Sequence, residues 1–456
     1  MLLAGAAGLA ISAMSTAGMA QTLPDALAAA YNNNPQLNSA RAQLRAVDEN
    51  VPQALSGYRP QIMATATGTA TTANAVGGPQ YLRGNYNSNP VNIALQLTQP
   101  IFTGFRTENS VSQAESAVRA QRESLRNTEQ SVLLSAVTSF MDVIQATSIV
   151  SLQESNLAFM DEQVRSNRDR FEVGEGTRTD VAQAEANQAN AVAQVAAAKA
   201  QLEAAKATFR QVIGLDPKKP IMRDLSSKLV PKTMETAQKS GQKKHPAIMS
   251  ATFNIDVAAF NVKVLEGQSL PTVSLGAGVG TTFSPTSPSG PARLDSANVS
   301  LNLSVPIYTG GQISSQVRQA KEDLGYARIQ VDLVRDQVRA QIVSSWGSLM
   351  AAEAQIAAAR SSVVANQLAL EGTIEEQKVG QRTVLDVLNA QTALVNSRML
   401  LVQAERDNVV ASYTLLASMG LLDAESLRLP VQVYNAKAHY KDVRDSWGGM
   451  RTPDGR

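Results

Sequence analysis

Few residues in this chain are spaced for covalent chemistry. The two histidines, His245 and His439, stand far apart, and neither has a companion at metal-ligand spacing; His245 precedes Pro246 and reads as structural. Cysteine is absent, which excludes thiol nucleophiles, disulfides, cysteine metal sites and a lipidated N-terminal cysteine. Gly276-Ala277-Gly278-Val279-Gly280 faintly resembles a phosphate loop, but no P-loop lysine and no helix follow, so close packing within a strand fits it better. Serine-hydrolase patterns are missing. We therefore expect no catalytic, cofactor-binding or metal residue and no enzyme activity. A formal net charge of +2 gives nucleic-acid binding no electrostatic support. What remains is ionic. Thr177-x-x-Asp180 and Thr383-x-x-Asp386 place a hydroxyl and a carboxylate at the same spacing twice, with Arg382 beside the second. A guanidinium and a carboxylate form charge-assisted, bidentate bonds suited to a lock. The same carboxylates suit a helix N-terminus, where they favour the helix dipole; the two roles can coexist.

These residues belong to a chain written twice. Leu95-x-Leu97-x-x-Pro100-Ile101-Phe102-Thr103-Gly104 returns as Leu301-x-Leu303-x-x-Pro306-Ile307-Tyr308-Thr309-Gly310. Val173-Gly174 returns as Val379-Gly380, and Gly214-Leu215 as Gly420-Leu421, all at an offset of 206. Upstream the offset is 211: Asn34-Pro35 matches His245-Pro246, and Arg59-Pro60 matches Leu270-Pro271. The five-residue difference must lie between residues 60 and 100. Two copies at a long period are a duplicated domain rather than a solenoid.

Each copy repeats one order of elements. The first, 21–214, reads as a helical segment near Leu23 to Ser56, a β-hairpin at 59–102, a long helix at 104–172 and a shorter one at 177–214. The second, 245–420, reads as a helix near His245 to Glu266, a hairpin at 270–308, and helices at 311–378 and 383–420. Strands are expected where apolar and polar residues alternate, as in Val299 to Val305 and Ile93 to Thr98. Such alternation fits a membrane barrel, apolar outside and polar inside, and equally an ordinary half-buried sheet. Turn-rich stretches at 73–89 and 284–296 read as exposed loops. The helices carry heptad seams, such as Ile313, Val317, Ala320, Leu324, Ala327, Val331, Val334 and Val338, and, in the shorter helix of the first copy, Val181, Ala184, Gln188, Ala191, Val195, Ala198, Leu202, Ala205, Phe209 and Val212. Thr103 to Val173 would make about 105 Å of helix at 1.5 Å per residue. Its returning partner is half as long, so the N-terminal helix of each copy is expected to stack on that partner and cover the rest. Gly174 and Gly380 read as helix terminators that allow the turn. Pro100 and Pro306 sit where strand becomes helix, a barrel–tunnel junction or a plain strand end.

Residues 1–20 form an apolar run ending in a small-x-small pattern, Gly18-x-Ala20, though the usual opening Lys or Arg is missing; a signal peptide with a mature start near Gln21 is expected, against a buried first helix. No later stretch is expected to reach the roughly 18 apolar residues of a spanning helix, so any membrane crossing must use strands. Two hairpins give four strands, too few to close a barrel, and open edges cannot face lipid. Several chains are then required, and eight, twelve or sixteen strands remain open.

The repeat, Gln99-Pro100-Ile101-Phe102-Thr103-Gly104, Val305 to Gly311 and Val379 to Asn389 together resemble the TolC-like outer-membrane efflux proteins over nearly the whole mature chain. The resemblance implies a mixed α/β membrane protein: three subunits, a twelve-stranded barrel and a coiled-coil periplasmic tunnel of twelve helices. It implies an exporter of drugs, small toxic molecules or proteins, working with a periplasmic adaptor protein and an inner-membrane pump of RND or ABC type, amid outer-membrane lipid. It implies that Arg382 ties to Asp180 and Thr179 of a neighbouring subunit. Asp386 matches the first position of an acidic ring; the second is Asn389 rather than aspartate, and a locking tyrosine is Gln377 here, so fewer charges and a weaker lock are expected. The tips, Val173, Gly174, Thr177, Val379, Gly380 and Thr383, would be the adaptor's docking points, and Pro100, Gly104, Pro306 and Gly310 the junction. Residues 215–244 would be a surface connector in an equatorial collar, joined by 421–456, whose end from Lys441 reads as flexible. The competing reading is a non-conducting periplasmic coiled coil, which explains the heptads but not two alternating strand pairs placed alike.

Overall fold

In the computed structural model, residues 21–77, 84–218, 220–221, 229–285 and 291–455 are described. The expected signal peptide lies outside them. A short β1 (Gln21–Thr22) leads into α1 (Leu23–Asn33), α2 (Pro35–Asp48) and α3 (Asn50–Leu55). Three helices thus replace the single helix expected to Ser56. Asn34, extended at ψ 124° before Pro35, makes the first break; its backbone N–H still donates to the Ala30 carbonyl at 2.9 Å, and its side-chain amide donates to the Val212 carbonyl at 2.8 Å. Strands β2 (Gln61–Gly68), β3 (Thr71–Ala75), β4 (Gly84–Ser88) and β5 (Val91–Phe102) follow, then helices α4 (Arg106–Glu172) and α5 (Arg178–Ile213). After β6 (Pro220–Ile221) come α6 (Met234–Lys244), α7 (Pro246–Glu266), β7 (Thr272–Ser284), β8 (Ala292–Ser304), α8 (Gln312–Lys378), α9 (Val384–Ser418) and α10 (Ala438–Val443).

Several of these differ from the sequence reading. The stretch 73–89 is no plain loop: β3 and β4 pair antiparallel there. Strand β8 begins at Ala292, inside the second expected loop. Helix α6 occupies the end of the expected connector. Helix α4 starts at Arg106, because Gly104 and Phe105 both take positive φ and cannot belong to a right-handed helix. The tail from Lys441 is partly ordered: α10 extends to Val443, which is buried.

The chain divides into two compact units. Of the described residues, one takes those within 21–40, 126–245 and 337–434, and the other those within 41–125, 246–336 and 435–455. The second contains a four-stranded antiparallel sheet, ordered β2-β5-β7-β8. Its register explains the alternation. Ile62, Leu97, Ala277 and Val299 form one cross-strand row, and Ala64, Leu95, Val279 and Ala297 the next. On the opposite face lie Gln61, Thr98, Gly276 and Ser300, then Met63, Gln96, Gly278 and Asn298. One face is apolar and the other mostly polar, and the apolar one is bare: Ile62, Leu95, Val279 and Val299 are exposed. Gly276 and Gly278 leave room on the polar face, since a Cβ at either would meet Ser300 Oγ or Asn298 Oδ1 at 2.8 Å. The glycine run is wall packing, not a phosphate loop.

In the first unit α4, α5, α8 and α9 form hairpins. Helices α4 and α8 each span 67 residues, in step at the offset of 206. The expected seams are inside: Ala184, Ala191, Val195, Ala198, Ala205 and Phe209 of α5 are buried. Helix α1 packs on α5 where the latter ends at Gly214 (φ +80°); the second copy repeats this, with Gly420 (φ +77°) against His245. A Cβ at Gly420 would lie 2.8 Å from the His245 Cα, so only glycine fits. Burial there pushes the His245 imidazole pKa down and keeps the ring neutral.

Against the expectation, two stretches are long and apolar enough for a spanning helix by length and composition, one in α4 and one in 234–269. Half of the first is buried in the protein, as in a core helix. The second lies in a segment where His245, extended before Pro246, separates α6 from α7, and little of it is buried.

Candidate functional site

The two hairpin tips are built by one local design used twice. At each, a Schellman motif ends the long helix. Gly174 takes φ +83° and its N–H donates to Phe171 O at 3.1 Å, while Glu175 N–H reaches Arg170 O at 2.8 Å. Gly380 takes φ +77°, with bonds to Gln377 O at 3.1 Å and from Gln381 N–H to Glu376 O at 2.9 Å. Both glycines face open space, so the left-handed backbone, not crowding, selects them. Val173 and Val379, just before them, are exposed.

A capping box then starts each returning helix. The Thr177 N–H and hydroxyl donate to Asp180 Oδ2 at 3.1 and 2.7 Å, and the Asp180 N–H returns a bond to Thr177 Oγ1 at 3.1 Å. Thr383 and Asp386 repeat this at 2.9, 2.8 and 3.2 Å. The bonds from Thr383 hold the Asp386 carboxyl below its ordinary value, so it stays ionised well into the acid range. The cap role of both aspartates is therefore filled within one chain.

Arg382 has a partner that sequence reasoning missed. Its Nε lies 2.9 Å from Glu376 Oε2, and both side chains are about half exposed (54% and 47%). The two are six apart, and the tight turn at Gly380 folds them together. The first tip has Arg170 and Gly176 at the equivalent positions and cannot form this pair. Instead Arg168 of α4 bridges Glu185 of α5 at 2.6 Å. Within the chain Arg382 is thus tied to Glu376, not to Thr179 or Asp180; the pairing implied for it was with another subunit. Thr179 is exposed, as is Asn389, one turn beyond Asp386 on the same face of α9; Gln377 is half-buried.

The opposite face of α9 is anchored. Val384 and Leu388 pack with Met160 and Ala191, and Val387 and Leu394 with Leu370; Phe159 touches both groups. Above them, Gln391 Nε2 donates to Asn156 Oδ1 at 3.0 Å and Arg406 Nη2 bridges Asp142 at 2.8 Å. Asp386 and Asn389 are left off this packed face, presented by a rigid helix.

The junction residues fall into two environments. Pro100 lies in β5 beside a bulge and pairs with Ser274. Gly104 approaches Gly267 so closely that a Cβ would meet its carbonyl oxygen at 2.6 Å. In the second copy Pro306 follows the end of β8, Gly310 has open space, and Ile307 and Tyr308 are 95% and 87% exposed. The first junction is closed within the chain and the second is open. Among the described residues no cluster of histidine, aspartate and glutamate could hold a metal ion.

A family model described as outer membrane efflux protein matches residues 26–215 and 239–421. The chain is 46% identical over 440 residues to the outer membrane efflux protein BepC of Brucella suis biovar 1, covering 96% of this chain and 94% of that one. It is 27% identical over 436 residues to the outer membrane protein TolC of Escherichia coli, covering 92% and 86%. The crystal structure of the Campylobacter jejuni CmeC outer membrane channel superposes with a TM-score of 0.74 at 17% identity, covering 93% of this chain and 89% of that one.

Proposed function

The chain belongs to the outer membrane efflux protein family, and on that premise we propose that three copies close one channel whose shut state is held at the hairpin tips. The protein is an outer-membrane export channel subunit rather than an enzyme. The bare apolar sheet face meets lipid, and the polar face lines the duct. Strands β2 and β8 are the sheet's edges, and no unpaired edge can face hydrocarbon. Three copies supply twelve strands.

The observation that carries this reading is the unequal pair of junctions. Residues 99–102 pair with β7 of the same chain. Among the described residues their counterparts, 305–308, pair with no strand, and Val305, Ile307 and Tyr308 are exposed. The partner they lack is the counterpart of β7, which is β2, and it is already engaged on its other side by β5. The free edge that fits is β2 of a neighbouring copy.

At the tips, Arg382 exchanges partners. In one chain it is satisfied by Glu376; in the closed trimer it turns to Asp180 and Thr179 of the adjacent copy, and Asp386 with Asn389 lines the constriction. Both states use a charge-assisted pair, so the exchange costs little and a docking partner can drive it. A periplasmic adaptor is that partner, seated on the tips around Val173, Gly174, Thr177, Val379, Gly380 and Thr383. An inner-membrane pump of RND or ABC type supplies the energy, and drugs, small toxic molecules or proteins are the cargo. The test is single-channel conductance in planar bilayers, wild type beside Arg382→Ala. A small conductance that rises clearly in the variant is expected. Equal conductance in both would remove Arg382 from the lock, and no conductance from inserted protein would refute the channel.

A further inference from the structure

The tail beyond α9 is fastened to the unit that carries the sheet. His439 Nδ1 lies 3.2 Å from Asp48 Oδ2, and the Tyr440 hydroxyl donates to Glu115 Oε1 at 3.1 Å. Arg122 covers the Tyr440 ring at 5.1 Å, and Arg444 lies 3.7 Å from Glu115. These contacts strap α10 across α2 and α4. Further on, Arg59 Nη1 donates to the Ser446 carbonyl at 2.5 Å, and its guanidinium stacks over the Trp447 ring at 4.8 Å. The tail therefore carries a placed indole at residue 447.

Where the indole is placed matters. Arg59 stands two residues before β2, so Trp447 rests at the foot of the sheet. That foot is tied to the apolar face: Gln99, in the cross-strand row of Leu275 and Leu301, donates to the Tyr58 carbonyl at 2.9 Å. Trp447 is nonetheless 74% exposed, and Tyr58, Ile101 and Phe105, at the strand–helix junction of the first copy, are about half exposed. A tryptophan fixed by a backbone bond and a cation–π contact, yet left bare, is costly in water. Tryptophan and tyrosine gather where bilayer hydrocarbon meets headgroups, because the ring is apolar and its N–H or O–H seeks a polar partner.

We infer that the C-terminal tail is a membrane-contact element, with Trp447 set by Arg59 into the phospholipid interface at the foot of the barrel. The occupant is the headgroup–acyl boundary of glycerophospholipids, by continuity with the lipid-facing sheet. This rests on the sheet being the membrane wall.

The full chain offers a direct readout, because Trp346 and Trp447 are its only tryptophans. Trimers are reconstituted in vesicles of phosphatidylcholine, plain or dibrominated near the headgroup end of the acyl chain. Only protein that floats with vesicles and keeps heat-modifiable mobility is measured, so failure of the barrel to insert is told apart from absence of tail contact. In Trp346→Phe, brominated lipid is expected to lower the emission well below that in plain vesicles, as for a ring at the headgroup–acyl boundary. The same quenched component, taken as wild type minus Trp447→Phe, gives the value independently should Trp346→Phe fail to assemble. Arg59→Ala is expected to reduce the quenching by releasing the indole. Trp447 emission unchanged by brominated lipid but fully quenched by aqueous acrylamide would overturn the inference.

Discussion

Because the copies repeat at fixed offsets, pairing between two chains can be written residue by residue. Within the chain, β5 pairs Thr98 with Gly276 and Leu97 with Ala277. Shifting β5 forward by 206 and β7 back by 211 pairs Ser304 with Thr65 of the next copy, Leu303 with its Ala66 and Val305 with its Ala64. The faces agree: Leu303 and Ala66 both belong to the apolar side, and Ser304 and Thr65 to the polar one. A one-residue slip would break that match throughout. Directly opposed residues have Cα atoms about 4.5–5.5 Å apart, within disulfide range. A pair displaced by two residues adds about 7 Å along the strand, at 3.4 Å per residue, and reaches roughly 8 Å, beyond bridging. The chain has no cysteine, so the background is clean. The perturbation is Thr65→Cys with Ser304→Cys, beside a displaced control, Thr67→Cys with Ser304→Cys. Mild oxidation in membranes followed by denaturing, non-reducing electrophoresis is expected to give dimers and trimers, and nothing larger, from the first pair alone. Cross-linking by the control instead, or a ladder running past trimer, would refute the register or the copy number.

Three further outcomes follow from the geometry. Leu95→Arg, in the apolar row with Ala64, Val279 and Ala297, is expected to cost about 2–4 kcal/mol at the bilayer midplane and to deplete assembled trimer, while Gln96→Arg on the polar face leaves trimer yield unchanged; equal yields would show that the sheet faces are misassigned. Gly380→Ala meets open space and bears only the left-handed backbone strain, about 1–2 kcal/mol, whereas Gly420→Ala adds about 1–3 kcal/mol of overlap with the His245 backbone, so urea midpoints are expected to fall further in the second; the reverse order would count against the packing at the α9 terminus. Asp48 is 1% exposed, and burial raises its carboxyl pKa above the ordinary 3.8 despite the bond to His439 and the charge of Arg122. A raised folded pKa gives stability that is present below 3.8 and lost as pH rises through the folded value. Asp48→Asn is therefore expected to flatten the urea midpoint between pH 4 and pH 7, and a steeper decline in the variant would reject that assignment.

The duplicated motifs, by themselves, determined the order of elements, because sequence period and structural period are the same local fact. The 3.5-residue seams named the buried face of α5 and α8, and strict alternation named the two faces of β5 and β8. Glycine followed by Thr-x-x-Asp announced the tips, since a left-handed terminator and a capping box act within a few residues. Distance along the chain hid the rest. Nothing local in 73–89 sets its Gly- and Asn-rich residues apart from a loop, and only the pairing of 71–75 with 84–88 makes β3 and β4. Glu376 meets Arg382 because the Schellman turn reverses the backbone between them, which no spacing rule for a continuous helix predicts. The tail from Lys441 is polar and glycine-rich, yet Glu115 and Arg59 hold its Arg444 and Ser446 from some 330 to 390 positions away. The order of the sheet, β5 against β7 with β2 and β8 left open, was also a tertiary decision. Alternation fixes which face a side chain occupies but not which strand lies beside it, because every strand of this wall carries the same pattern.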